Sequence, residues 1–371
     1  MKEGWEYKKL GDLGTFVRGG NFSKKDFVEN GFPCIHYGQI HMKFGIETFK
    51  HISSVPAGMV KPDRCAHKGD LVIAITSEDD AGSCKCTAWM GDYDAYVGGH
   101  TAIYRHTMQP KYVSYYFMSP FFQKDKLEYT HGFKVVEISP KDIAKITIPV
   151  PPLSEQQSIV DYLDSAFAKI DAMKSNAEKA LNEAKALFQA SLKEMMEPKE
   201  GWEEKNLIKE FSLKSGENLS AKNQVIGPYP VYGGNGITGY HNQYNLSGDQ
   251  ILIGRVGALC GNIHYIKERI WVTDNAFVVN NISSSWNMLF LSYELEYINL
   301  NQYASQTAQP VISNKSMKDV SIFQPPLSEQ QSIVTTLDSL KSKVDCLQEN
   351  YDKISQECDA LKQAILRQVF E

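Results

Sequence analysis

No run of about 18 or more apolar residues occurs in this chain, so nothing in it is long and apolar enough to read as a membrane span. The start, Met1-Lys2-Glu3-Gly4-Trp5, lacks both the basic segment and the apolar stretch of a secretory signal, and a soluble, cytoplasmic protein is expected. Cysteine is sparse: seven residues, an odd number, are scattered over 371 positions. That usage does not suit the dense disulfide framework of a small secreted scaffold and fits reduced thiols. A GxxxxGK phosphate loop and an Asn-Pro-Pro-aromatic or Asp-Pro-Pro-aromatic methyltransferase signature are both missing, so no catalytic residue is assigned. A basic excess is missing too.

The net charge is −5, the opposite sign from most nucleic-acid-binding domains. Its distribution weakens that exclusion. Nine acids face six bases between Ser154 and Glu200, and eight face five between Pro325 and Glu371, so these two segments hold the whole negative excess. The remainder is near neutral and free to carry local basic patches. At 371 residues the chain exceeds what one hydrophobic core usually organises, and at least two domains are expected.

What is present is a duplication. The decapeptide PPLSEQQSIV begins at Pro151 and again at Pro325. Agreement continues at the same offset, with Leu163-Asp164-Ser165 matching Leu337-Asp338-Ser339 and Ala186-Leu187 matching Ala360-Leu361. Upstream, Gly4-Trp5-Glu6 returns as Gly201-Trp202-Glu203. Between these shared ends, residues 11–147 and 208–321 show little mutual similarity.

Behind each Pro-Pro pair, Ser154 and Ser328 stand as helix N-cap signals with Glu and Gln in the first turn. Apolar residues then repeat at 4-3-4-3 spacing: Ile159, Leu163, Ala166, Ile170, Met173, Ala177, Ala180, Ala184 and Leu187, and in the second copy Ile333, Leu337, Leu340, Val344, Leu347, Tyr351, Ile354, Cys358 and Leu361. Each pattern predicts a helix of about 40 residues, roughly 60 Å long, whose single apolar stripe needs a partner. The other copy is the simplest one. Ile159, Leu163, Ile170, Leu187, Ile333, Leu337, Val344 and Leu361 are the expected interface. The unlike middles read as small α/β domains, with strands at Asp70–Ile75, Ile251–Gly254 and Ala276–Val279 and aromatic-rich helices at Tyr112–Phe122 and Trp286–Tyr297.

Three motifs bear on chemistry. Gly234-Asn235-Gly236-Ile237-Thr238-Gly239 satisfies GxGxxG, but no amphipathic helix follows, so a polar surface loop is preferred to a dinucleotide site. Cys65, His67, Cys84 and Cys86 are possible zinc ligands, yet their one-residue spacings are unlike finger knuckles and no metal is assigned. Glu78-Asp79-Asp80, Asp92 and Asp94 lack a nuclease-type lysine partner and read as solvated loop acids. For base edges and phosphates the candidates are Arg18, Lys24, Lys25, Arg64, Lys68 and Arg105 in the first middle, and Lys222, Tyr232, Asn235, Asn242, Gln243, Arg255 and Lys315 in the second.

PPLSEQQSIV after a short β run, twice, each time entering a long heptad helix, resembles the specificity subunits of Type I restriction-modification systems. Ile138-Ser139-Pro140-Lys141, Val311-Ile312-Ser313-Asn314-Lys315 and Gly201-Trp202 support the resemblance, which covers essentially the whole chain. It implies an α/β (α+β) fold with a target recognition domain at 1–150, a spacer helix at 151–199, a second recognition domain at 200–324 and a second spacer helix at 325–371, the helices pairing as an antiparallel coiled coil. Each unlike domain would read one half of an asymmetric split target in double-stranded DNA. The helices would space the halves and dock methyltransferase (modification) subunits. This chain would bind no cofactor: S-adenosylmethionine would sit on the modification subunit, and ATP and Mg on a restriction subunit if one joins. The alternatives are a coiled-coil interaction scaffold that never reads DNA, and a nuclease or methyltransferase in its own right.

Overall fold

Leu71-Val72-Ile73-Ala74 is apolar at every position, a composition that suits a strand covered on both faces. In a computed structural model, which describes residues 4–132, 134–220, 222–305 and 309–371, it is the middle strand of a five-stranded sheet. The chain divides into two units, Met1–Ala177 with Asp352–Glu371, and Glu178–Tyr351. In the first unit the strands are β1 (Glu6–Lys9), β2 (Gly14–Arg18), β3 (Phe32–Ile35), β4 (Glu47–Thr48), β5 (Ser53–Val55), β6 (Cys65–Ala66) and β7 (Leu71–Ala74). Then follow β8 (Thr76–Ser77), β9 (Cys86–Trp89), β10 (Ala95–Val97), β11 (Thr101–His106), β12 (Val136–Glu137) and β13 (Thr147–Val150). One sheet has the order β2-β11-β7-β9-β4 and another β5-β3-β10-β6. Period-2 alternation along β7 sends Leu71 and Ile73 into a core shared with α1 (Pro110–Met118), and Val72 and Ala74 into a second core with Ile35 and Val97 of the other sheet.

The second unit contains β14 (Glu203–Asn206), β15 (Ser212–Ser215), β16 (Tyr229–Gly233), β17 (Gly236–His241), β18 (Gln250–Gly254), β19 (Ile263–Ile266), β20 (Trp271–Val272), β21 (Ala276–Asn280) and β22 (Ser321–Gln324). Its sheets, β15-β21-β18-β19 and β17-β16-β20, repeat the first unit's plan. In both, the chain pairs one strand of the smaller sheet in parallel with a later one, Cys34 opposite Tyr96 and Val231 opposite Trp271. Thus the middles share a topology that their sequences do not reveal.

The repeated sequence is explained by what it holds. Glu6–Lys9 pairs antiparallel with β13, and Glu203–Asn206 pairs in the same way with β22, so each unit is tied off by its own two ends. Two long helices leave those ties, α2 (Leu153–Met196) and, after α3 (Met288–Ile298), α4 (Leu327–Phe370). Both glutamines of the repeat are used. Buried Gln156 accepts a hydrogen bond from the Gln109 backbone N–H at 2.9 Å, and Gln109 caps α1; buried Gln330 accepts from the Asn287 N–H at 2.7 Å, and Asn287 caps α3. The next residues, Gln157 and Gln331, accept from the cap side chains themselves at 3.3 and 3.0 Å. The repeat therefore fastens the aromatic helix of each unit to the start of its long helix.

Ser154 and Ser328 are not caps. The helices begin one residue earlier, with the carbonyls of Pro152 and Pro326 accepting the first backbone hydrogen bonds. The aromatic stretch after α1 is broken at Ser119-Pro120, where a second short helix, Pro120–Asp125, starts with Ser119 as its cap. In the first unit α2 and α4 run antiparallel: Val160, Leu163 and Phe167 pack with Leu366, Val369 and Phe370, while Lys174 meets Asp359. In the second unit Lys185 bonds Gln348 at 2.7 Å and Lys341 lies over Phe188 at 5.9 Å.

The heptad expectation needs one correction. Ile159, Leu163, Ile170, Ile333, Leu337 and Val344 are buried or half-buried in the cores, but Leu187 and Leu361 are 57% and 47% exposed. Each stands four heptads beyond Ile159 or Ile333, and a straight helix of about 3.6 residues per turn falls behind a 3.5 repeat by about 20° per heptad, or roughly 80° in all. The residue one further on inherits the seam: Phe188 is buried, and half-buried Lys362 pairs with Asp171 at 2.5 Å.

Candidate nucleic-acid interface

The connections leaving β7 and β18 mark equivalent corners of the two units. In the first, the Ile75 N–H donates to the His100 carbonyl; in the second, the Arg255 N–H donates to that of Asn275, so the connections β10–β11 and β20–β21 also correspond. Around these corners the two units carry different residues on one backbone plan.

In the second unit, β16 and β17 form a hairpin whose tip is Gly234-Asn235, with Gly233 opposite Gly236. Gly236 has φ +100°, a left-handed geometry that glycine tolerates. Strand, not helix, follows the glycines, which removes the dinucleotide reading. The tip presses on the β18 corner so closely that a Cβ at Gly254 would lie 2.0 Å from the Gly234 carbonyl oxygen. This glycine contact sets exposed Asn235 beside the Arg255-Val256-Gly257 turn. Arg255 is held there: its Nη1 donates to Ser215 Oγ at 2.6 Å and to the Asp274 carbonyl at 2.9 Å, and the guanidinium lies 4.4 Å from the Phe277 ring centre. Asn218 adds a bond to Asp274 at 3.3 Å.

Tyr232 does not belong to this surface. It points inward from β16, 9% exposed, into a core with Leu252 and Val272, and burial raises its phenol pKa above the ordinary range. Nor is the glycine segment one loop, since Asn242 and Gln243 are exposed at the far end of β17, about 20 Å of strand away from Asn235. Exposed Lys222 precedes Gln224, which bonds the Tyr240 carbonyl, and so belongs near that far end. Lys315 is exposed in a separate turn beside Asn314, whose amide reaches the Leu213 carbonyl.

The corresponding corner of the first unit gathers rings. Tyr37 packs against His36, His41 and His100 with centroids 4.5, 6.0 and 5.4 Å away, and His41 Nε2 is 3.2 Å from the Thr76 carbonyl. Burial, then the charges of His100 and Lys24, hold His36 below the ordinary imidazole pKa. His100 is exposed and has φ +62°. Arg18, at the end of β2, pairs with Glu137 of β12 at 2.9 Å, and Arg64 donates to the Gly19 carbonyl at 2.8 Å, so these two cations flank the glycines at 19 and 20. Lys24 and Lys25 follow in an exposed turn. Arg105 is half-buried on β11, its Nη2 given to the carbonyls of Asp63 and Cys65, so it braces the 63–65 segment. Lys68 pairs with Asp92 at 2.6 Å, away from this corner.

Tyr37, His41, His100, Ser215 and Asp274 were missed from sequence. A signal for His100 existed in Gly98-Gly99-His100, a tight connection, but the chemistry of the corner depends on strands that meet only in three dimensions. The four residues considered as zinc ligands do not come together: Cys84 and Cys86 are separate from Cys65 and His67, and burial pushes the Cys84 thiol up to about 12.

Each unit thus carries its own loop set on the same duplicated frame, closed by the same repeated sequence. The Type I restriction modification DNA specificity domain matches residues 2–183 and 186–356, and the chain belongs to that family. It is 23% identical to the StySPI specificity subunit of Salmonella potsdam, covering all of this chain and 89% of that one, and 20% identical to the EcoKI specificity subunit of Escherichia coli K12, with the same coverage. A 33% identical match to the EcoprrI specificity subunit of Escherichia coli is local, spanning 39% of this chain and 37% of that protein. By fold, the chain resembles one from a solved type I R-M system with a TM-score of 0.79 at 19% identity, covering 100% of this chain and 98% of that one. It also resembles the HsdS subunit from Thermoanaerobacter tengcongensis, with a TM-score of 0.57 at 19% identity and coverage of 100% and 97%.

Proposed function

We propose that each unit reads one half of an asymmetric, bipartite double-stranded DNA target, and that α2 and α4 set the spacing of the halves and dock modification subunits. The observation that carries this is the pair of equivalent corners: one frame, two chemistries. Asn235 with its exposed amide in one unit, and Tyr37, His41 and His100 in the other, offer different donors and acceptors, as two unlike half-sites require. Arg18, Arg64, Lys24 and Lys25 beside the first corner, and Lys222 and Lys315 in the second unit, suit phosphate oxygens, which position a duplex without specifying it. Among the described residues no helix is long and apolar enough to cross a membrane.

The chain supplies recognition and leaves chemistry to its partners. S-adenosylmethionine belongs to the modification subunit, and ATP and Mg to a restriction subunit where one assembles. The test is selection of bound duplexes from a random pool by the chain with its modification subunit. A split motif should emerge, Asn235→Ala should relax one half of it only, and affinity should fall about 10³-fold or more between 50 and 200 mM salt if about six phosphates are neutralised. No enrichment, with salt-insensitive partner binding, would instead favour a scaffold.

A further inference from the structure

Two strands of the first unit carry three different metal donors to one place. β6 and β10 pair antiparallel, Cys65 opposite Tyr96 and Ala66 opposite Ala95, so His67 just after β6 and Asp94 just before β10 fall side by side. Cys65 and His67, two residues apart on an extended segment, share a face. Cys65 Sγ stands 4.0 Å from His67 Nε2 and 3.9 Å from Asp94 Oδ2, while His67 Nδ1 is 2.7 Å from Asp94 Oδ1. One donor atom from each of the three residues lies within 4.8 Å of the others. Around a tetrahedral ion with a metal–sulfur bond of about 2.3 Å and metal–nitrogen and metal–oxygen bonds of about 2.1 Å, donors stand roughly 3.5 Å apart, so each of the two sulfur edges closes by about half an ångström while the imidazole and carboxylate re-aim from each other toward the ion.

The surroundings favour an ion over a nucleophile. A reactive thiolate needs electropositive neighbours at its sulfur; the nearby cation, Arg105, gives its Nη2 to the Cys65 carbonyl, whereas the sulfur has a carboxylate beside it and its S–H is directed to the Pro62 carbonyl at 3.0 Å. A cation would offset the repulsion between that carboxylate and a thiolate. A further carboxylate, Asp70, accepts from the His67 backbone N–H at 2.9 Å and fixes the turn that carries the imidazole. The sulfur side is buried and the other two residues are exposed, which leaves an entry path and a fourth position for water.

We propose that Cys65, His67 and Asp94 form a site for one divalent transition ion of borderline softness, zinc in class, which braces β6 against β10. Sulfur with imidazole selects such an ion over magnesium or calcium. On binding, the Cys65 S–H bond breaks, a sulfur–metal bond forms and the proton leaves to solvent.

The test strips the full chain with a chelator and titrates it with Co²⁺. One equivalent should bind with a sulfur-to-metal charge-transfer band and the intense visible bands of four-coordinate cobalt. Cys65→Ser should abolish the charge-transfer band and His67→Ala should weaken binding at least about 10-fold, the latter at an exposed residue whose loss spares the core. Cys346→Ser, at the exposed thiol on α4, should leave the spectrum intact. Absence of the band in the wild-type chain, or its persistence in Cys65→Ser, would overturn the assignment.

Discussion

Replacing Gln330 by methionine keeps nearly the same shape while deleting every hydrogen bond that the side chain makes. Gln330 is fully buried; its Oε1 accepts from the Asn287 N–H at 2.7 Å, and its Nε2 donates to the carbonyls of Ser285 at 2.9 Å and Pro325 at 2.8 Å. The Ser285 oxygen keeps a bond from Gln324 at 3.0 Å, so the substitution strands two groups, the half-buried Asn287 N–H and the buried Pro325 carbonyl. At about 1–3 kcal/mol for a group left unpaired, with the half-buried N–H at the low end of that range, Gln330→Met should cost roughly 2–4 kcal/mol. Urea unfolding of the full chain measures it, with the loss falling in the transition of the second unit and Gln156→Met giving its counterpart in the first. A loss below about 0.5 kcal/mol for both would refute the claim that the repeated glutamines fasten the aromatic helices.

Glu294 lies fully buried on α3, with one oxygen accepting from the Phe323 N–H at 2.8 Å, and burial raises its pKa from the ordinary carboxylate value to about 7. Because the folded pKa exceeds the unfolded one, the folded state holds the extra proton between about pH 4.5 and 7, and stability declines as pH rises through that window. Glu294→Gln should therefore raise the second unit's thermal midpoint at pH 8 relative to wild type, with the gap closing by pH 5; a pH-independent gap would contradict this. Leu187→Glu and Leu361→Glu should change stability by no more than about 0.5 kcal/mol, whereas Phe188→Ala should cost about 3–5 kcal/mol, both read by urea unfolding. Gly254→Ala puts a methyl 2.0 Å from the Gly234 oxygen, so it should displace the hairpin tip and blur one half-site in duplex selection while sparing the other.

The frame was legible where a residue pattern has a local cause. Leu71-Val72-Ile73-Ala74 shows a strand buried on both faces, and the duplicated PPLSEQQSIV shows two equivalent helix starts. The seam was legible for about three heptads in the second copy, as far as buried Cys358, but in the first copy Met173, two heptads on, is already exposed; the mismatch between 3.5 and 3.6 residues per turn carries Leu187 and Leu361 off it. The corners were poorly legible because they are assembled from distant strands. Arg255 is a candidate contact in the sequence, yet Ser215, forty positions earlier, holds its guanidinium. Tyr232 looked like part of a polar loop because nothing in Tyr232-Gly233-Gly234 says which face of β16 points inward. Asp94 joined Cys65 and His67 only through the pairing of β6 with β10.

The most direct measurement is to co-express the chain with a Type I modification subunit encoded beside it, purify the complex and map the adenines methylated on random-sequence DNA. Two unlike readers predict one asymmetric motif in two parts with a fixed gap. A palindromic or continuous motif, or association without any methylation, would contradict them.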